Sequence, residues 1–502
     1  EKMLHRLNGI FAFAIWDSRT QALFLARDAL GIKPLYYTIY QDGFAFSSEI
    51  KALANIIKDL GDLDHESLHR YLSFLWCPGE GTPLVNVKKL GPGEAVWVKS
   101  GSIEKKYAWY KLPAFRVRPK KMDLNEAMKG TEYYLRQAVH RQMVSDVPLG
   151  AFLSGGLDSS SIVAFAKEAN PDIQCFTIES QGGMEAGLVD DLPYAQKVAT
   201  HLDVPLEVIV IDSTGMASDI EMMISQLGEP LADPAPLNVL YISQLAREAG
   251  IKALLSGSGG DDLFTGYRRH LAVQTEKYWR WMPKPLLKGL DSFAQGLDHR
   301  RPLFRRLSKL FAGSELEGDE RLVNYFVWAQ RDDLYQLYSP EFKTALNDAA
   351  AQTPMLEFLA PLQQDPDPIE RVLALEQRYF LTEHNLNYTD KMSIAAGVEV
   401  RVPFLDIDLV DFAAQIPTHF KQRGKEGKWI LKKTMESYLP HDVIYRPKCG
   451  FGAPLRRWIR FELSELMRDL LSEESLKRRG LFDAKAIQKL IDDNNSGIVD
   501  AA

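Results

Sequence analysis

Cysteine is scarce: three in 502 residues, Cys77, Cys175 and Cys449. They are too few and too far apart for a disulfide framework or a zinc cluster, which fits a reducing compartment and leads us to expect a cytoplasmic protein. No run of about 18 uncharged apolar residues occurs, so no membrane partner is expected. An excess of one charge is lacking too: 60 basic residues stand against 67 acidic ones, a net charge of −7, so no nucleic-acid partner is expected either. A local basic cluster, "HRRPLFRRL", reads as a solvated helix face. What remains is an ordinary globular composition, 46% hydrophobic and 25% charged, in a chain long enough for about two to four domains. It opens at Glu1 directly into the dense apolar pattern "LNGIFAFAIWD" and stops in "DNNSGIVDAA", just past a turn-like segment. Both ends read as cuts within a longer protein.

From Leu7 to about Trp109, short aromatic and β-branched runs ("IFAFAIWD", "ALFLARD", "LYYTIY", "GFAFSSE", "AVWVKS") alternate with Gly, Asp and Ser turns, which predicts a β-rich unit. "KLPAFRVRPKKMD" reads as a connector, with a boundary near residue 118. Beyond it, strands and helices alternate from "VPLGAFLS" to "KALLSGSG", the pattern of a doubly wound parallel sheet. After about Tyr267 the pattern turns helical.

In such sheets ligands lie beyond the carboxyl ends of the strands. Two strand-end loops stand out there. In "LSGGLDSS", Gly155 and Gly156 allow the backbone to approach an anion, and Ser154, Ser159 and Ser160 offer hydroxyls. A lysine is missing from this phosphate cradle, and the carboxylate of Asp158 stands in the middle. In "LLSGSGGDDLFTGY", Ser256, Gly257, Gly259 and Gly260 form a second flexible loop that ends in Asp261 and Asp262. Phosphate donors paired with carboxylates make sense if the carboxylates hold Mg²⁺, which neutralises both. Without a Walker lysine, the loop points to a departing pyrophosphate and to adenylation rather than γ-phosphoryl transfer. Taken alone, "SGGLDSS" also reads as a Gly-Ser turn capping a helix, with Asp158 as first-turn charge.

"SGGLDSS" resembles the PP-loop of the N-type ATP pyrophosphatases. Together with "LSGSGGDDLFTGY", "DKMSIAAGVEVRVPFLD" and "RPKCGFGAPLRRW" it resembles the glutamine-dependent asparagine synthetase family. "LNGIFAFAIWD", "ARDALGIKPLYY" and "SSEIKAL" are similar to the later part of that family's N-terminal nucleophile glutaminase domain. The resemblance implies an α/β protein. Residues 1–118 would be the C-terminal part of a class II (αββα) glutaminase domain plus linker, and residues 119–502 a PP-loop ATP pyrophosphatase domain that is helical after about 267. It implies ATP and Mg²⁺ as cofactors. Aspartate would be adenylated on its side-chain carboxylate, ammonia drawn from glutamine would arrive through an internal tunnel, and asparagine, AMP and pyrophosphate would leave. Leu153, Ser154, Gly155, Gly156, Asp158, Ser159, Ser160, Ser256 and Gly257 would contact ATP and pyrophosphate, and Ile178 would line the adenine pocket. Asp158 and Asp261 would hold the metal, and Lys391 and Lys448 would reach phosphate and the forming adenylate. Ser258, Glu399 and Arg401 would lie on the substrate side. A homodimer through the β-rich domain is implied by the same analogy.

Each lysine also has a plainer reading: an interface ion pair for Lys391, a solvated loop residue for Lys448. Glu399 and Arg401 read equally well as a structural ion pair, and Arg27, Asp28 and Gly31 as a turn at the domain interface. Two departures matter. The family's nucleophile is an N-terminal cysteine, yet no cysteine precedes Cys77, itself expected to be buried packing. The chain as given is therefore expected to use ammonia and not glutamine. Ser258 stands where asparagine-forming members usually carry an acid, and serine is no base at neutral pH without help. The alternatives to aspartate are thus another carboxylate, a uronic acid of a surface polysaccharide or a peptide side chain, or a non-catalytic member.

Overall fold

A computed structural model describes residues 1–41, 43–181, 191–297, 301–362, 367–447, 455–496 and 499. The expected β-rich half forms two antiparallel sheets. Strands β1 (Ala12–Asp17), β2 (Ala22–Arg27), β6 (Glu94–Lys99) and β7 (Ser102–Ala108) lie in the order β1-β2-β6-β7. Strands β3 (Tyr36–Tyr40), β4 (Gly43–Ser47) and β5 (Val87–Lys89) lie in the order β4-β3-β5. Alternation gives β2 two working faces. Leu25 packs with Val96, Val98, Leu35, Tyr37 and Leu90 between the two sheets, while Phe24 and Ala26 join the core of the second half. Cys77 is buried, and burial pushes its thiol up to about 11, as suits a packing residue.

After the connector, Asp123 starts the helix Leu124–Gln142 with a capping box. Its carboxylate accepts from the Glu126 amide at 2.8 Å, and the Glu126 carboxylate accepts from the Asp123 amide at 3.0 Å. Strands β8 (Leu149–Phe152), β9 (Gln174–Gln181), β10 (Leu206–Asp212), β11 (Ala253–Leu255) and β12 (Glu399–Arg401) then build one parallel sheet, in the order β10-β9-β8-β11-β12. Chain order reverses between β8 and β11, so the loops that follow these two strands lie side by side at the switch point. The helices Leu157–Ala169, Leu192–Leu202 and Ala235–Glu248 make the crossovers, and the described residues from Tyr267 onward form helices joined by turns, with β12 as the one named strand among them. Among the described residues no helix is long and apolar enough to cross a membrane.

The two halves are joined by the turn after β2. Arg27 donates to the carbonyls of Lys33, Leu90 and Gly31 at 2.6–2.8 Å, and Asp28 accepts from the amides of Ile32 and Lys33. Gly31 has φ +67°, and a Cβ there would lie 2.8 Å from Thr382 Cγ2. That close approach lets Thr382 Oγ1 donate to the Leu30 carbonyl at 3.0 Å, and Lys33 reaches Asp390 at 2.6 Å. Thr382 lies in the π-helical stretch Glu376–Leu386, which interrupts an otherwise α-helical run from Pro368 to Ala395.

Lys421 marks a weak point in this core. It is 3% exposed, and burial pushes its pKa down to about 8 against the opposing pull of Glu370 and Asp367. The folded state therefore disfavours the charged ammonium. This penalty is full below about pH 8 and is relieved as pH rises toward the ordinary value of 10.5. Lys421→Met is expected to raise stability at pH 7 by about 3 kcal/mol. Thermal melts across this range should show wild type gaining stability above about pH 8 and the variant not gaining it.

Candidate active site

The first loop begins where β8 ends. The Leu153 amide donates to the Phe176 carbonyl at 2.9 Å, which fixes the loop to the sheet edge. Gly155 then takes φ +64°, and a Cβ there would run into the backbone of Tyr194 and Ala195. Glycine is thus required twice over, by conformation and by space. Gly156 leads into the helix Leu157–Ala169, and Ser154 Oγ and Ser159 Oγ lie 3.1 Å apart across the turn. Ser160 faces inward and is fully buried; its amide donates to the Gly156 carbonyl at 3.0 Å, and its hydroxyl has no partner among the described residues. Ile178 sits on β9 opposite Ile209.

The second loop follows β11. The Ser256 amide donates to the Arg401 carbonyl at 2.8 Å, and the hydroxyls of Ser256 and Ser258 meet at 2.9 Å. Gly257 and Gly260 let this loop press against the first: a Cβ would lie 2.7 Å from the Ser159 amide nitrogen in one case and 2.6 Å from Asp158 Cγ in the other. The missing side chains bring Asp158 and Asp261 to a common point.

That point is occupied by Lys428, which the sequence reading did not single out. Its ammonium bridges Asp158 and Asp261, the latter at 2.5 Å. Burial opposes the charged ammonium, but the two carboxylates overcome it and hold Lys428 well above the ordinary lysine range. Its backbone is set by an unusual junction. Lys428 has φ +55° and donates its amide to the Phe264 carbonyl at 2.8 Å, while a Cβ on Gly427 would strike the Thr265 carbonyl. The only signal in sequence is a Gly-Lys pair ahead of the helix Trp429–Met435. Arg446 was also passed over, although it lies in "RPKCGFG". It pairs with Asp191 at 2.9 Å, lies over the Tyr194 ring and reaches the Ser154 carbonyl at 3.5 Å, so it braces the first loop.

Other expected residues lie elsewhere. Lys391 is 1% exposed, and its ammonium donates to the Leu227 carbonyl at 2.5 Å and lies 3.6 Å from Glu49 of the N-terminal half. Arg401 pairs with Glu399 at 2.9 Å and donates to the carbonyls of Gln142 and Val144, tying β12 to the end of the helix Leu124–Gln142. Lys448 falls outside the described residues.

The donor set suits Mg²⁺ shared with phosphate. Among the described residues no three His, Cys, Asp or Glu side chains gather as a metal cage. Two carboxylates that already converge on one cation would instead leave positions for water and phosphate oxygens, as this ion prefers.

Residues 130–501 match the family model described as asparagine synthase, and residues 1–110 one described as a glutamine amidotransferase domain. Glutamine-hydrolysing asparagine synthetase 1 of Bacillus subtilis (strain 168) is 30% identical over 94% of this chain and 72% of its own length. A protein named amidase chyE, from Penicillium rubens, is 24% identical over 97% of this chain and 76% of its own length. A solved NH3-dependent NAD synthetase from Campylobacter jejuni is similar at 14% identity and a TM-score of 0.21, over 39% of this chain and 98% of that one.

Proposed function

The chain belongs to the asparagine synthase family of ATP-dependent carbon–nitrogen ligases, and on that premise we propose that it adenylates the side-chain carboxylate of aspartate. Pyrophosphate leaves, ammonia attacks the acyl-adenylate, and asparagine and AMP are released. The carrying observation is the meeting of Asp158 and Asp261, from two separate strand-end loops, on a single cation.

Each residue then has a defined task. The amides of the Ser154–Gly156 turn, with the hydroxyls of Ser154 and Ser159, donate to the pyrophosphate oxygens in exchange for the long bonds of 3.3–3.4 Å that they make within the turn, and Ser256 and Gly257 close the other side. Ile178 offers apolar surface to the base, while the side chain of Leu153, fully buried in the core, leaves only its backbone to face the nucleotide. Asp158 and Asp261 hold Mg²⁺, which when bound supplies charge neutralisation for the leaving pyrophosphate. Lys428, relieved of those carboxylates when Mg²⁺ is bound, gives its ammonium to the same developing charge, a task Lys448 shares. Lys391 serves the interface between the two halves, and the Glu399–Arg401 pair holds β12 in register. The division of the chain near residue 118, a synthetase unit following a glutaminase-type unit, belongs to the same reading.

A second reading keeps the adenylation and changes the acceptor to a uronic acid or a peptide carboxylate. Ser258 favours it, because its hydroxyl is turned onto Ser256 and brings no acid to the acceptor side. Pyrophosphate release from ATP in the presence of ammonia, measured over a panel of carboxylates, separates the two. Aspartate is expected to stimulate release by at least about tenfold over the no-acceptor rate. Stimulation by another acid alone moves the assignment to the second reading, and release with no acid at all refutes both.

A further inference from the structure

One part of the helical half gathers large exposed apolar side chains and positive charge together. Tyr278, Trp281, Leu286, Phe293 and Leu303 are between 53% and 76% exposed. Residues 277–312 carry nine lysines and arginines against two aspartates, in a chain whose net charge is −7. The exposure is not that of a frayed end. The helices Lys284–Gln295 and Pro302–Phe311 are fastened to each other by Ser308 Oγ donating to Gln295 Oε1 at 2.8 Å and by the Gly313 amide donating to Asp291 at 3.2 Å. Leu287 and Ala294 face inward, and Trp279 is buried against Phe311. Buried Arg321 anchors the pair to the body, through Glu276 at 2.6 Å and the carbonyls of Ala312 and Leu310. Leu286 and Phe293, two helical turns apart, share one outward stripe.

We propose that this helical pair is a docking surface for an anionic lipid bilayer, with Trp281, Phe293 and Leu303 entering the headgroup–acyl boundary and Lys284, Arg301 and Arg306 meeting lipid phosphates. Two observations favour lipid over a protein partner. The apolar and basic residues are interleaved: Tyr278 follows Lys277, Trp281 follows Arg280, and Leu303 lies between Arg301 and Arg306. Protein interfaces instead segregate an apolar core depleted in lysine from a polar rim, whereas Trp, Phe and Leu beside Lys and Arg on short amphipathic helices match the bilayer interface. Positive charge is also in excess here: nine basic residues stand against two aspartates, and the ion pairs Lys284–Glu317 at 3.0 Å and Arg280–Glu276 at 3.7 Å engage two of the nine from outside the stretch. Such a field attracts phosphates that lie in a plane. The helices lie on the bilayer and do not cross it.

The test is co-sedimentation of the full chain with phosphatidylcholine vesicles, with and without phosphatidylglycerol. Binding to the anionic vesicles is expected to exceed binding to the neutral ones by at least about tenfold and to weaken as salt rises. The double variants Trp281→Ser, Phe293→Ser and Arg301→Glu, Arg306→Glu should each lose most of it while keeping wild-type melting temperature and pyrophosphate release. Equal binding to both vesicle types, no binding to either, or unchanged binding by both double variants overturns the proposal. A concentration-dependent dimer in sedimentation velocity, abolished by Trp281→Ser, Phe293→Ser, assigns the surface to a second copy of the chain and overturns it equally.

Discussion

Asp158→Asn is expected to lower acceptor-dependent pyrophosphate release by about 10²–10³ while leaving the protein as stable as wild type when Mg²⁺ is withheld. The asymmetry follows from charge. Two carboxylates share one ammonium at the junction of the loops. Replacing Asp158 with the isosteric amide keeps its shape and leaves Lys428 paired with Asp261, so the melting temperature should hold. The same substitution removes half of the hard-oxygen donor set. Mg²⁺ should then shift the melting temperature of wild type and no longer shift that of the variant. A variant that keeps wild-type turnover, or one that still responds to Mg²⁺ in the melt, refutes the role given to Asp158.

How far the sequence could be read follows from how locally each feature is encoded. Strands β8 to β11 were legible because buried parallel strands are short apolar runs flanked by helical periodicity. The two loops were legible because glycine, serine and aspartate cluster within a few residues. By contrast, β7 carries the polar run "SIEKKYA", β5 and β12 span three residues each, and none of these shows an alternation that periodicity can detect. The turn of Arg27, Asp28 and Gly31 is expected at an interface, and the approach of Thr382 to Gly31 and Leu30 and the Lys33–Asp390 ion pair put it between the two halves. Lys428 was the serious omission. It lies 270 residues from Asp158 in the chain, and its reach depends on the left-handed backbone at Lys428 and on the space left by Gly427. A lysine in a polar loop looks like any other until the fold shows what it faces.

Lys428→Met carries the sharpest consequence of that omission. Without the ammonium, Asp158 and Asp261 lose the cation they share in a mostly buried cleft, and removing the shared partner of a buried ion pair typically costs about 3–5 kcal/mol. Partial exposure of both carboxylates reduces this cost, so a loss of about 2 kcal/mol is expected in chelator. Added Mg²⁺ should restore most of the lost stability, because the carboxylates then regain a cation, and the variant's melting temperature should respond to Mg²⁺ more strongly than that of wild type. Pyrophosphate release should nevertheless stay low by about 10²–10³ at saturating Mg²⁺ and ATP, since a cation aimed at the departing pyrophosphate has been lost. Lys428→Arg should not rescue it, because a planar guanidinium cannot take the place of a compact ammonium between two loops packed through glycine. If Mg²⁺ restores stability and turnover together, Lys428 only balances the charge of the empty cleft, and its part in expelling pyrophosphate falls away.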